Sequence, residues 1–145
     1  MRTEHEDLAE FSDYAWNRLR ARLDGLTDDE YFWEPSVTTM VWRLTHVRDM
    51  LAEERNFTWL GVPVPDSRPI GSPTSAADAL AQLAEAYALW RKALSETEDL
   101  STSVGRIAGP FGDSTRRAFV HHVLDELIHH GAEIALLRDL YGATS

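Results

Sequence analysis

The side chains able to do chemistry are concentrated in two short stretches. Five of the six histidines lie there: His46 in Trp42-Arg43-Leu44-Thr45-His46-Val47, and His121, His122, His129 and His130 in HHVLDELIHHG. The second stretch also carries Asp125 and Glu126. The chain has no cysteine, so a disulfide framework and a thiolate metal site are both excluded. Imidazole and carboxylate remain, and these are ligands for zinc, nickel or iron(II). Residues four apart on a helix lie about 40° apart around its axis, so both can face one ion. Two pairs have this spacing, Glu126 with His130 and Asp125 with His129.

A helical wheel separates the pairs. With Leu124 at the centre of the core-facing arc, Val120, Leu127, Ile128, Gly131 and Ala135 surround it. Phe119, Val123, Ile134, Leu137 and Tyr141 extend the arc on one side, and Glu126 and His130 fall at the edge of that extension. Asp125 and His129 fall on the other side with His121, Ala132, Glu133 and Asp139, which reads as solvent. An ionised Glu among apolar neighbours is costly unless paired or coordinated. His46 lines up with Trp42, Met50, Glu53 and Phe57 at the margin of its own apolar face. Spacing alone leaves two readings open: a metal held by two residues of one helix and one of another, or hydrogen-bonded histidines at the edge of a core. His122, four residues before Glu126, is an alternative ligand or a supporting group for the site. His121 and His129 read as surface residues.

Four helices must position these groups. The first is expected from about His5 to Leu23, with Leu8, Phe11, Ala15, Leu19 and Leu23 as its apolar stripe and Asp24-Gly25 as its end. A helical turn follows, since Thr27-Asp28-Asp29-Glu30 has capping-box form. The second helix is expected from about Thr39 to Leu60, with Met40, Leu44, Val47 and Leu51 on one face. Gly61 and the prolines at 63, 65, 69 and 73 make a loop. The third helix starts at Thr74 or Ser75 and runs to about Glu98, carrying Leu80, Leu83, Tyr87, Trp90 and Leu94. A second loop spans Ser101 to Gly112. The fourth helix runs from about Ser114 to Tyr141, with Gly142 as its terminator. No segment has strand alternation, so the fold class is all-α, a four-helix bundle in one domain over residues 1–145.

Charge narrows the partners. The 145 residues carry a formal net charge of -10, from Asp+Glu 24 against Lys+Arg 14. Such a chain is a poor partner for nucleic acid, whose affinity rests on phosphate neutralisation, and for an anionic membrane surface. The start, MRTEHEDLAEF, lacks the apolar run of a signal peptide. The expectation is a cytoplasmic protein without nucleic-acid or membrane partners. Trp16, Trp59 and Trp90 add apolar helical surface that leaves room for a homodimer, although core packing accounts for it more simply.

The two histidine stretches, together with Leu26-Thr27-Asp28-Asp29-Glu30, Trp33-Glu34-Pro35 and Leu137-Arg138-Asp139, resemble the DinB-like (DNA-damage-inducible) superfamily. That superfamily includes the N-terminal domain of mycothiol-dependent maleylpyruvate isomerase and the bacillithiol transferases. The resemblance covers nearly the whole chain and implies a four-helix bundle. It also implies a divalent metal held by one residue of the second helix and two of the fourth, which maps onto His46, Glu126 and His130. The commonest pattern has three histidines, and Glu126 stands in place of the middle one, as in the isomerase branch.

From this resemblance follows an expected activity. A divalent metal, zinc first with nickel or iron(II) as alternatives, activates a low-molecular-weight thiol such as mycothiol toward an electrophilic substrate, in a transferase or isomerase reaction. Two alternatives stand beside it: a non-catalytic, stress-related metal-binding bundle, and a metal-dependent hydrolase. Arg43, Arg48 and Arg116 flank the ligand helices and are candidates to hold an anionic substrate, against the plainer reading of solvated surface arginines. No residue stands out as the catalytic acid or base.

Overall fold

Each long helix begins at a hydroxyl side chain that accepts from a backbone N–H three residues on. Thr3 accepts from Glu6, Thr39 from Trp42, Ser75 from Asp78 and Thr115 from Ala118. These caps satisfy donors that the first helical turn would otherwise leave unpaired. The computed structural model describes residues 1–144. Its helices are α1 (Glu4–Leu23), α2 (Asp28–Tyr31), α3 (Met40–Leu51), α4 (Arg55–Thr58), α5 (Ala76–Glu96) and α6 (Arg116–Gly142), with a 3-10 segment at Arg106–Phe111. Among the described residues there is no strand, only an isolated bridge between Ser103 and Thr115. No helix among them is long and apolar enough to cross a membrane.

The four long helices form an all-α bundle in which α1 and α3 each pack against both α5 and α6. The expected stripes supply the core: Leu8, Ala15, Leu19 and Leu23 from α1, Met40, Leu44, Val47 and Leu51 from α3, Leu83 and Leu94 from α5, Val120, Leu124 and Leu127 from α6. Each of these Leu, Val and Met side chains contributes about 2 kcal/mol by leaving water. Trp16 and Trp90 are also buried in this core, and Trp59 packs on Phe119 with ring centroids 4.8 Å apart.

Three expectations need correction. First, the second helix does not continue to Leu60. It stops at Leu51 and resumes as the single turn α4. The buried Asn56 amide donates to the carbonyls of Met50 (2.8 Å) and Leu51 (3.0 Å), and Arg68 donates to that of Ala52 (3.1 Å). Side chains thus replace the helical N–H groups, and the chain turns. Second, Phe11 is exposed, while Ser12 takes the inward position on α1. Ser12 is affordable there because it sits in a directed chain: Trp90 Nε1 donates to Ser12 Oγ (3.1 Å), Ser12 lies 3.0 Å from Tyr87 OH, and Tyr87 donates to Asp13 (2.6 Å). Burial, then the Asp13 carboxylate, hold the Tyr87 phenol well above its ordinary range. Third, Gly142 is the last residue of α6 and has no positive φ; Ala143 is the cap.

Two buried charges tie the ends together. Glu30, expected as part of a local capping box, receives a bidentate pair of bonds from Arg138 on α6 (2.7 and 2.8 Å). Arg138 also donates to the carbonyls of Arg22 and Asp24, so one guanidinium clamps α6, the end of α1 and α2. Arg48 is buried. It donates to Asp49 (2.8 Å), to Gln82 on α5 (2.6 Å) and to the Gly71 carbonyl (2.6 Å), which pins the proline-rich loop.

Candidate metal centre

The groove between α3 and α6 brings His46, Glu126 and His130 together. His46 Nε2 lies 3.1 Å from His130 Nε2, His130 Nε2 lies 3.1 Å from Glu126 Oε2, and His46 Nε2 lies 4.0 Å from Glu126 Oε2. A four-coordinate ion with bonds of about 2.0–2.1 Å spaces its ligand atoms about 3.3 Å apart, and the three separations bracket that value. Asp125 and His129 are exposed, so the two pairs separate as the wheel expects.

The protons at this site are constrained. His130 is buried, and its Nδ1 donates to Glu133 Oε1 at 2.6 Å. With its ring proton there, His130 offers a lone pair at Nε2. Glu126 Oε2 offers another. While His130 is neutral, a single proton on His46 Nε2 cannot answer both remaining acceptors, because Glu126 Oε2 lies 4.0 Å from it. A cation can, so the donor set fits a divalent metal. His46 is held below its ordinary pKa, first by burial and then by the charge of His130, which favours the neutral, ligating form.

Neighbours fix the rings. Arg43 forms an ion pair with Glu133 (Nη2 to Oε2, 2.8 Å). Arg43 Nη1 also lies 3.4 Å from His130 Nδ1. An Nδ1 already donating to Glu133 cannot accept, so Arg43 acts on His130 through the carboxylate. Trp42 stacks on His46 with centroids 4.9 Å apart and planes 7° from parallel, and the Arg43 guanidinium lies 4.7 Å over Trp42. His129, His130 and Glu133 form a second compact group of potential ligands. It shares only His130 with the first, and its His129 is largely exposed. The Nδ1 to Glu133 bond leaves Nε2 as the free ligand atom of His130, which favours the first group.

The remaining candidates fall elsewhere. His122 is exposed, borders the cleft next to Glu126 and stacks loosely on Phe119 (6.4 Å). The supporting contacts to His130 come from Glu133 and Arg43 instead. Arg43 is committed to Glu133, Arg48 is buried on the α5 side of α3, and Arg116 lies against Gly61, whose φ of +71° needs no side chain there. The arginine that does border the cleft is Arg55. Sequence reasoning passed over Glu133, grouping it with solvent, although its place three residues after His130 is a helical contact spacing.

Comparison with known proteins agrees with this architecture. The crystal structure of a conserved protein from Enterococcus faecalis matches with a TM-score of 0.68, covering 97% of this chain and 98% of that one. Identity is 16%, so this likeness shows the fold alone. No curated protein matches the sequence. The profile of the DinB superfamily matches residues 13–134, a span that contains His46, Glu126 and His130. The chain belongs to the DinB superfamily.

Proposed function

We propose that this protein binds one divalent metal through His46, Glu126 and His130, and uses it to present a small-molecule thiol to an electrophilic substrate. The observation that carries the reading is the convergence of three lone-pair atoms beside an open cleft of about 360 Å³. Three protein ligands leave coordination positions free, as catalytic sites do and closed structural sites do not. A divalent ion held there lowers the pKa of a coordinated thiol and so supplies thiolate at neutral pH. The absence of cysteine is consistent with a thiol brought from outside, mycothiol being the example the resemblance suggests.

The chain's own residues have defined parts. Glu133 sets the tautomer of His130, Arg43 holds Glu133, and Trp42 keeps the His46 ring in its plane. Glu126 adds the negative charge that offsets part of the charge of the ion. Zinc suits two imidazoles and one carboxylate, as do nickel and iron(II).

Cobalt(II) substitution tests this reading. Adding mycothiol or another small thiol to the cobalt-loaded protein is expected to produce a sulfur-to-cobalt charge-transfer band. A spectrum unchanged by every thiol would rule out the thiol-activating role and leave a metal with a different duty.

A further inference from the structure

Two cavities meet at Arg55 and His122. One, of about 360 Å³, runs beside the His46 and Glu126 edge of the candidate centre and is bordered by Asp49 and Glu53. The other, of about 210 Å³, is walled by Trp59, Val104, Phe111 and Phe119. The first is of mixed character, bordered by charged side chains and Met50, and the second is mainly apolar. Together they reach the range of about 300–1,000 Å³ usual for small-ligand sites, which single polar groups orient within apolar walls. The 3-10 segment makes this pocket: it carries Phe111 over the start of α6, on a loop closed by bonds from Gly105 N to Gly112 O and from Val104 N to Ser114 O.

Arg55 stands at the junction in an unusual state. Its guanidinium lies 5.1 Å from the Trp59 ring centroid and 5.6 Å from that of Phe119. Its Nε is 3.2 Å from Glu53 Oε2 but buried and out of line for a hydrogen bond. Its terminal nitrogens have no hydrogen-bond partner among the described residues. Arg48, by contrast, is committed to Asp49, Gln82 and Gly71, and Arg43 to Glu133. Arg55 is therefore a cation held by two aromatic faces and ion-paired with Glu53 on its Nε side, with the fork of its two terminal nitrogens open to a ligand. A carboxylate matches that fork. The break between α3 and α4 puts it there, since Asn56, the next residue, caps α3.

We infer that the two cavities form one site for an apolar carboxylic acid. Its aryl or branched alkyl group occupies the Trp59–Phe111–Phe119 pocket, its carboxylate pairs with Arg55, and the rest extends into the cleft beside His46 and Glu126. This deepens the proposed function by naming a substrate class, and it rests on that reading only for what the cleft end of the ligand meets.

Calorimetric titration with phenylbutyrate and its neutral alcohol, phenylbutanol, tests the site on metal-free and zinc-loaded full-length protein. The acid is expected to bind about tenfold more tightly than the alcohol. Ala118→Trp fills the pocket from an exposed position on α6 and should abolish binding of both. Arg55→Met keeps the stem and removes the charge, so the acid should fall about tenfold, to the level of the alcohol, with the alcohol unchanged. Both variants should still take up zinc. Undiminished binding by Ala118→Trp, or a preference for the acid that survives Arg55→Met, would overturn the inference. If the pattern holds in a protein that takes up no zinc, the pocket stands and the metal centre fails. If zinc binds and the pattern is absent, the reverse is true.

Discussion

His130 and Glu133, three residues apart on α6, are joined by a 2.6 Å hydrogen bond from the imidazole Nδ1 to a carboxylate oxygen, which turns the other ring nitrogen toward Glu126 and His46. This bond decides the character of the site. Without it His130 is free to place its proton at Nε2, and the cluster becomes an ordinary hydrogen-bonded group.

Glu133→Gln should therefore weaken metal binding by about 10- to 100-fold while leaving all three ligands in place. Competition against a chelator of known affinity measures the change. Arg43→Met should act in the same direction and less strongly, because it touches His130 only through Glu133. Equal metal affinity in Glu133→Gln and the native protein would remove Glu133 from the account.

Acidification should destabilise the metal-free fold through His46. Its folded pKa lies below the ordinary value of 6.5, from burial first and the His130 charge second. As pH falls through 6.5 the unfolded chain takes up this proton before the folded chain does. Stability is thus unaffected above that value and declines from there down to the folded pKa. Urea unfolding at a series of pH values should show a shallower decline for His46→Gln in this window. Parallel profiles for the two proteins would contradict the shift.

The Glu30–Arg138 clamp makes a separate prediction about stability. Glu30 is almost wholly buried and Arg138 mostly so, and Glu30→Gln leaves the guanidinium short of its counter-charge. The expected cost is about 3 kcal/mol, a fall in melting temperature of roughly 10 °C. Metal affinity of the folded variant should be unchanged, since neither residue touches the centre. A thermal melt matching that of the native protein would show that the clamp is geometry without energy.

The helices and the pairing of Glu126 with His130 were legible because both follow from local periodicity. On α6, Leu124, Leu127 and Ile134 face the core while Asp125 and His129 face solvent, as a wheel dictates. The end of α3 was not legible. Ala52-Glu53-Glu54-Arg55 consists of good helix formers, and the stop comes from the Asn56 amide and from Arg68, a residue across the following loop. Arg48 was misplaced for the same reason: its partners, Gly71 and Gln82, are 23 and 34 residues away. Arg55 drew no notice in sequence because its role depends on Phe119, which only the fold brings beside it.

Metal stoichiometry in two neighbouring variants tests the central claim most directly. Native protein and His129→Ala, loaded with zinc and dialysed, should each retain one ion per chain, whereas His130→Ala should retain almost none. Equal loss in both variants, or a native protein that retains no metal, would contradict a centre built on His46, Glu126 and His130.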